Sequence, residues 1–195
     1  MNLANKLTMI RIFLVPIFLI FIAVRGIPYG SVIATLIFII ASLTDQLDGY
    51  IARSRNQITN FGKFMDPLAD KLLVTAALIS LVELHLIPAW AAVIIIAREF
   101  AVSGLRTLAA AEGTVIAASW WGKIKTVTQI AAIVLLLLEV NISSSEYLTN
   151  LVVNNNILNG FFNYVPNTIL IIAVIITIIS GIDYFVKNKN AISMK

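Results

Sequence analysis

Long apolar runs alternate with short polar segments along the chain, a pattern typical of helices that cross a membrane. A helix needs about 20 predominantly apolar residues to span the hydrocarbon core of a bilayer. Six stretches qualify, at residues 8–25, 31–53, 67–85, 88–111, 122–140 and 165–186. The pattern therefore predicts an all-α integral membrane protein with six transmembrane helices, folded as a single domain over residues 1–195.

The segment between the fifth and sixth stretches, residues 141–164, is rich in Asn and Ser and contains no Lys or Arg. This composition predicts a loop. Its apolar parts, LVV and ILNGFF, suggest that the loop lies along the outer leaflet of the membrane.

Basic residues outside the predicted spans are distributed unevenly between the two sides of the membrane. An even number of spans puts both termini on one side, and nearly all Lys and Arg residues fall on that side, with Arg25 as the exception. Cytoplasmic segments of membrane proteins carry an excess of Lys and Arg. We therefore expect a multi-pass protein of the cell membrane with both termini, and the Asp-rich segment 45–70, in the cytoplasm.

Composition narrows the chemistry of any functional site. The chain is 59% hydrophobic and only 12% charged, and it has no Cys and one His, His85. A thiolate nucleophile, a Cys-ligated zinc site and a His-based triad are therefore excluded. Carboxylates and hydroxyls remain, and they suit hard cations such as Mg²⁺ or Mn²⁺. The net charge of +4 fits contact with anionic lipids or phosphorylated substrates, and we expect no nucleic-acid partner.

Two pairs of aspartates stand at the predicted cytoplasmic end of the second and third spans. Asp45 and Asp48 are three residues apart, and Asp66 and Asp70 are four apart, so each pair shares one helix face. The residues QITNFG between the pairs predict a turn, and the Asp66-Pro67 step predicts the first helical position of the third span. These positions predict a box of four carboxylates from two neighbouring helices.

Structural roles for single aspartates remain open at this point. Asp66 is a good helix N-cap residue, and Asp48 can pair with Arg53 or Arg55. Four carboxylates together repel one another unless cations lie between them. Two divalent metals about 4 Å apart would neutralise the box and could clamp a phosphoryl group.

The spacing of this segment resembles the motif of the CDP-alcohol phosphotransferase family. The matching positions are Asp45, Asp48, Gly49, Ala52, Arg53, Gly62, Asp66 and Asp70. The resemblance implies an enzyme that moves a phosphatidyl group from CDP-diacylglycerol to an alcohol and releases CMP. It further implies a homodimer in membrane lipid.

The resemblance also implies roles for individual residues. Two divalent cations, Mg²⁺ or Mn²⁺, would be held by Asp45, Asp48, Asp66 and Asp70. Asp70 would in addition act as general base on the acceptor hydroxyl. Contacts to CDP-diacylglycerol would come from Asn5, Thr8, Gly49, Arg53 and Thr59.

Motifs outside the aspartate box resemble the branch of the family that uses sn-glycerol 3-phosphate as acceptor. They read NKLTMIR from Asn5, AREFAVSGLR from Ala97, GKIKTVTQ from Gly122 and SGIDY from Ser180. An acceptor that carries a phosphate needs fixed positive charge in its cavity. The candidates on the fourth and fifth spans are Arg98, Arg106, Lys123 and Lys125.

Other interpretations of these cations and of the site stay open. Arg98 falls near mid-membrane and can pair with Asp183 or Glu99 as a purely structural contact. Lys123 and Lys125 can be anchors at the cytoplasmic surface. The same chemistry can serve inositol phosphate, serine or phosphatidylglycerol as acceptor, and an aspartate cluster in a membrane can also belong to a divalent cation transporter.

Overall fold

The structure is a computed structural model that describes residues 3–24, 26–54, 60–111, 113, 116–117 and 119–188. For residues 3–7, 45–54, 60–64, 66–67 and 111 the description covers the backbone alone. The helices in these ranges are α1 Leu3–Ala23, α2 Gly30–Ser54, α3 Asn60–Glu83, α4 Ala89–Ala111, α5 Trp120–Ser143, α6 Glu146–Val153 and α7 Asn156–Lys187. The described part of the chain contains no strand, which confirms the all-α prediction.

The six long helices coincide with the six apolar stretches of the sequence. Among the described residues, α5 with 24 residues and α7 with 32 residues are long and apolar enough to cross a membrane. At 1.5 Å per residue α5 extends over about 36 Å, more than the thickness of a hydrocarbon core. Shorter apolar helical segments cover Thr8–Ala23 and Gly30–Thr44. These features are those of a membrane protein.

The long helices form two groups of three that pack against each other. In one group α1 contacts α2 and α3, and in the other α7 contacts α4 and α5. Helix α3 also contacts α4 and α5, and α2 contacts α5, so these contacts join the two groups. Helix α3 therefore contacts both the aspartate-bearing α2 and the cation-bearing α4 and α5.

The core between the helices is built from small and aliphatic side chains. The described alanines with no exposed surface are Ala34, Ala41, Ala69, Ala77, Ala91, Ala109 and Ala173. Small residues let helix backbones approach closely, which is the usual basis of packing between membrane helices. Larger side chains such as Phe18 and Phe38, with ring centroids 6.3 Å apart, fill the remaining space. This packing fixes the helices that carry the polar residues described below.

The prediction of a loop over residues 141–164 is wrong. Helix α5 continues to Ser143, α6 follows, and α7 begins at Asn156. Asn155 caps α7 because its side-chain oxygen accepts hydrogen bonds from the backbone N–H groups of Ile157 and Leu158, at 3.0 and 3.3 Å. Asn is favoured in turns and also at helix N-caps, so an Asn-rich composition does not separate the two.

The predicted start of the third helix is also wrong. Helix α3 begins at Asn60, so the Asp66-Pro67 step lies inside it rather than at its first position. Apolar residues at helical spacing run across this step, from Phe61 and Phe64 before it to Leu68 after it, which explains the earlier start. Residues 60–62 of the predicted turn are helical, and residues 55–59 lie outside the described part of the chain.

Candidate active site

A polar cleft of about 230 Å³ lies at the end of the bundle where α3 and α5 begin and α4 and α7 end. Its lining is polar in an otherwise apolar molecule. The lining residues are Asp70, Lys71, Arg98, Glu99, Val102, Ser103, Arg106, Ser119, Gly122, Lys123, Thr126 and Tyr184. Asp70 and three of the four predicted acceptor cations therefore share one cavity.

Arg98 reaches the cleft from the middle of α4. Its Nη2 donates a 2.6 Å hydrogen bond to the hydroxyl of Ser180 on α7, and its Nη1 lies 3.4 Å from Oε1 of Glu99. Two glycines lie next to this side chain. A Cβ atom added at Gly122 would lie 3.8 Å from Nη2 of Arg98, and one added at Gly181 would lie 3.4 Å from its Cγ. The guanidinium is thus held between α5 and α7, and only 12% of the side chain is exposed.

Lys125 lies beside the cleft and is almost completely buried. Its side chain is 2% exposed and its Nζ forms an ion pair with Oε1 of Glu99. A second cavity of about 30 Å³ adjoins the first and is lined by Lys125 together with Asp70, Lys71 and Glu99. The same carboxylate of Glu99 therefore faces both Arg98 and Lys125, and it links α4 to α5.

Arg106 lies two turns beyond Arg98 on α4 and contacts Tyr184. Its Nε donates a 2.5 Å hydrogen bond to the Tyr184 hydroxyl, and its guanidinium carbon is 5.4 Å from the ring centroid. Tyr184 is 2% exposed and packs against Val102 and Leu105. Lys123 is exposed at the mouth of the cleft, where its Nζ is 6.0 Å from the Trp120 ring centroid.

The charges that line the cleft do not cancel. Four basic side chains, those of Lys71, Arg98, Arg106 and Lys123, face two carboxylates, those of Asp70 and Glu99. The described lining therefore carries a formal excess of two positive charges. A phosphate monoester carries roughly two negative charges near neutral pH. A cavity with this charge is electrostatically complementary to a phosphorylated small molecule.

The structure decides between some of the open interpretations of the cations. Lys125 is buried, so it is not a surface anchor. Arg98 pairs with Glu99 but not with Asp183, which accepts from Ser119 and forms an ion pair with Lys187. The structural contact considered for Arg98 therefore exists, and the same arginine also lines the cleft.

The other predicted site residues fall in three groups. Thr8 is buried in α1, with 1% exposure, and does not line the cleft. For Asn5, Asp45, Asp48, Gly49, Arg53 and Asp66 the backbone is helical, and their side chains lie outside the described part. Thr59 lies outside the described residues altogether. Among the four aspartates of the box, Asp70 is the one whose side chain the structure describes.

The backbone is compatible with the predicted carboxylate box. Helix α2 includes positions 45 and 48, α3 includes positions 66 and 70, and these two helices contact each other. Helical spacing then keeps each pair on one face. Carboxylate oxygens are the ligands that Mg²⁺ and Mn²⁺ prefer, so the residue types fit divalent cations.

Several residues of the cleft were not predicted as site residues. Lys71, Glu99, Ser180 and Tyr184 line the cleft or hold its cations. The signal for Lys71 and Glu99 was a charge inside an apolar helix, next to Asp70 and Arg98 respectively. Ser180 and Tyr184 belong to the SGIDY motif, in which Asp183 alone had a suggested contact, with Arg98.

Comparison with known proteins identifies the class to which this fold and cleft belong. The profile of the CDP-alcohol phosphatidyltransferase family matches residues 1–179. The chain therefore belongs to this family, as the aspartate motif indicated.

Individual relatives point to one branch of the family. Over 206 aligned positions the chain is 45% identical to the CDP-diacylglycerol–glycerol-3-phosphate 3-phosphatidyltransferase of Bacillus subtilis strain 168, covering 98% of this chain and 97% of that protein. It is 38% identical to a protein of the same name from Rickettsia bellii, with 94% of this chain and 93% of that protein covered. It is also 38% identical to a probable phosphatidylglycerophosphate synthase of Mycobacterium tuberculosis, with 94% and 79% covered.

Proposed function

We propose that this protein transfers the phosphatidyl group of CDP-diacylglycerol to sn-glycerol 3-phosphate and releases CMP and phosphatidylglycerophosphate. The likeness to relatives that carry this activity in their names extends over nearly the whole chain. The observation that carries the proposal is the cleft itself, in which Asp70 and the cations Arg98, Arg106 and Lys123 line one cavity.

The excess of positive charge in the cleft supports a phosphorylated acceptor. Arg98 and Arg106 present planar guanidinium groups, which can bind phosphate oxygens in a bidentate manner. Lys71, Lys123 and the adjoining Lys125 add positive charge. A neutral acceptor such as serine or inositol would leave these charges uncompensated in a water-poor site.

The reaction requires removal of one proton from the acceptor. The acceptor hydroxyl oxygen attacks the phosphorus that carries diacylglycerol, a new P–O bond forms, and the P–O bond to CMP breaks. Asp70 takes the hydroxyl proton, because it is the aspartate of the motif whose described side chain lines the acceptor cleft. Arg53 and the CDP-binding residues Asn5, Thr8, Gly49 and Thr59 would hold the nucleotide part.

Two divalent cations, Mg²⁺ or Mn²⁺, would be held by Asp45, Asp48, Asp66 and Asp70. When bound, they would neutralise the pyrophosphate and the negative charge that develops on its oxygens. The helical backbone at all four positions and the contact between α2 and α3 support this assignment.

The same proposal includes a topology and an assembly. Six transmembrane helices, α1 to α5 and α7, would cross the cell membrane with both termini and the cleft on the cytoplasmic side. The chain has no native cysteine, so single cysteines can test this directly. Cysteine at Tyr147, which is exposed after α5, should react with a membrane-impermeant maleimide in intact cells. Cysteine at Ala117, between α4 and α5, should react only after lysis, and the reverse result would overturn the orientation.

A homodimer is expected from the family and would be checked by mass in detergent.

CMP release by the purified protein tests the activity. The assay contains CDP-diacylglycerol, Mg²⁺ or Mn²⁺ and one acceptor at a time, chosen from glycerol 3-phosphate, serine, inositol phosphate and phosphatidylglycerol. We expect turnover with glycerol 3-phosphate alone. Turnover with another acceptor instead would keep the chemistry and overturn the substrate. Folded protein that releases no CMP with any acceptor would favour a cation transporter.

A further inference from the structure

The end of α7 contacts α4 and the start of α5, the two helices that carry the predicted acceptor cations. The segment from Ser180 to Tyr184 includes Gly181 and Asp183, and it faces both α4 and the first turn of α5. The chemistry described above assigns no step to these residues. Their contacts nevertheless follow one pattern. Ser180 and Tyr184 are hydrogen-bonded to basic side chains of the cleft, and Asp183 is hydrogen-bonded to Ser119, which precedes the helix that carries Lys123 and Lys125.

Ser180 fixes the end of Arg98. The serine is completely buried, and its hydroxyl accepts a 2.6 Å hydrogen bond from Nη2 of Arg98. Gly181 follows it in the chain and lets the arginine stem lie against α7, since a Cβ there would be 3.4 Å from Cγ of Arg98. A Cβ at this position would therefore be in van der Waals contact with the arginine stem, and side-chain atoms beyond Cβ would compete with it for space.

Tyr184 fixes Arg106 in a similar way, one turn further along α7. The buried hydroxyl accepts from Nε of Arg106, while the ring contacts the guanidinium face. A bond at Nε leaves both terminal nitrogens of this guanidinium available for other partners. Phosphate oxygens bind best to such a pair of terminal nitrogens.

Asp183 acts on α5 through Ser119. The Ser119 hydroxyl caps α5 by accepting from the backbone N–H of Gly122 at 3.3 Å, and it donates to Oδ2 of Asp183 at 3.2 Å. The first two turns of α5 carry Lys123 and Lys125. The position of α5 at the cleft is therefore linked to the same segment of α7.

We propose that Ser180, Asp183 and Tyr184 are positioning residues that set the geometry of the acceptor-phosphate cations. Long Arg and Lys side chains lose much conformational freedom when they bind, and a prior hydrogen bond reduces that loss. The segment thereby determines affinity for a phosphorylated acceptor and leaves CDP-diacylglycerol binding unaffected. This inference rests on the proposed function.

The test compares Tyr184→Phe with Tyr164→Phe, which makes the same chemical change at an exposed position of the same helix. Steady-state CMP release gives kcat and the KM of each substrate, and inorganic phosphate is used as a competitor of glycerol 3-phosphate. Loss of one hydrogen bond to a charged group should raise the KM of glycerol 3-phosphate about tenfold. The inhibition constant of phosphate should rise by a similar factor. Neither kcat nor the KM of CDP-diacylglycerol should change more than about twofold in Tyr184→Phe, and Tyr164→Phe should match the unchanged protein.

Ser180→Ala is the second variant, and it should shift the same two constants in the same direction. A simple structural role would lower kcat, raise both KM values together or abolish turnover, and any of these results overturns the inference. An unchanged KM for glycerol 3-phosphate in both variants overturns it as well. Absence of glycerol 3-phosphate turnover in the unsubstituted protein would instead overturn the proposed function.

Discussion

The two ends of the helix bundle bury polar side chains in different ways. At the cleft three of the buried or half-buried side chains are charged, those of Arg98, Glu99 and Lys125. At the opposite end the buried Thr35 and Asn141 are neutral and form hydrogen bonds, and the half-buried carboxylate of Glu139 leaves its Oε2 without a hydrogen-bond partner in the described part of the chain. Nδ2 of Asn141 donates to the Thr35 hydroxyl at 3.0 Å, and that hydroxyl donates to the Ser31 carbonyl at 2.8 Å.

This difference distinguishes a site that binds a ligand from hydrogen bonds that only pack helices together. Burying a charge costs several kcal/mol unless partners compensate it, and a buried ion pair is seldom a net source of stability. A neutral hydrogen bond between membrane helices stabilises by about 0.6 kcal/mol and needs no further explanation. The charged cluster at one end therefore indicates a ligand, whereas the Thr35–Asn141 pair is sufficiently explained by helix packing.

Removal of divalent cations should have the largest effect on the cleft end. Cations held by the aspartate box stabilise developing charge by several kcal/mol, so exhaustive chelation should lower CMP release at least about a hundredfold. Mg²⁺ or Mn²⁺ should restore it. The measurement is turnover after EDTA treatment and dialysis, and full activity in the chelated protein would contradict the metal assignment.

Asp70→Asn should have the next largest effect. Loss of a positioned general base typically lowers the rate by about 10² to 10⁴-fold. Because an amide still offers an oxygen ligand, binding of metal and CDP-diacylglycerol should fall much less than kcat. Glu146→Gln, which makes the same type of change in α6, is the control and should keep full turnover. Equal loss of binding and turnover in Asp70→Asn would contradict the separate role as base.

Lys125→Met should change both stability and acceptor binding. It removes one of the two cations that pair with Glu99 and leaves that carboxylate with the 3.4 Å contact to Arg98, which should lower the free energy of unfolding by about 3 kcal/mol. The KM of glycerol 3-phosphate should rise about tenfold, as expected for loss of a charge-assisted contact.

The double variant with Glu99→Gln separates the two effects of Lys125. Removing the charge of Glu99, which has lost its Lys125 partner, should restore most of the stability, while the KM for glycerol 3-phosphate stays high. Unfolding in mixed micelles with increasing SDS and steady-state kinetics measure the two quantities. If the KM recovers together with stability, Lys125 is a structural partner of Glu99 and not part of the acceptor site.

Local sequence features predicted more of the helices than of their contacts. Apolar length alone placed the six long helices, because a bilayer demands a minimum span. The four-residue spacing of Asp66 and Asp70 predicted that they share one face of α3, and the structure shows Asp70 lining the polar cleft. The starts of α3 and α7 were missed, since Asn60 and Asn155 suit a helix start as well as a turn, and α6 was missed within the same Asn- and Ser-rich segment that precedes α7.

Contacts between distant helices could not be predicted in the same way. Arg98 was matched by charge to Asp183 or Glu99, and it contacts Glu99 and Ser180. The choice of Ser180 over Asp183 depends on how α7 is rotated against α4. That rotation results from packing at many positions, including Gly181, and no single residue type encodes it.

Thr35→Val should produce the smallest effect and tests the other half of the comparison. The substitution keeps the shape of the side chain but removes the acceptor for Nδ2 of Asn141, at the end of the bundle away from the cleft. The free energy of unfolding in mixed micelles should fall by about 1 kcal/mol, within the range of interhelical hydrogen bonds. The kcat and both KM values should stay unchanged, because the pair contacts no residue of the polar cleft. A change in the KM of glycerol 3-phosphate would mean that the two ends are coupled through α2 and α5, and the division between a charged functional cluster and a neutral structural pair would then fail.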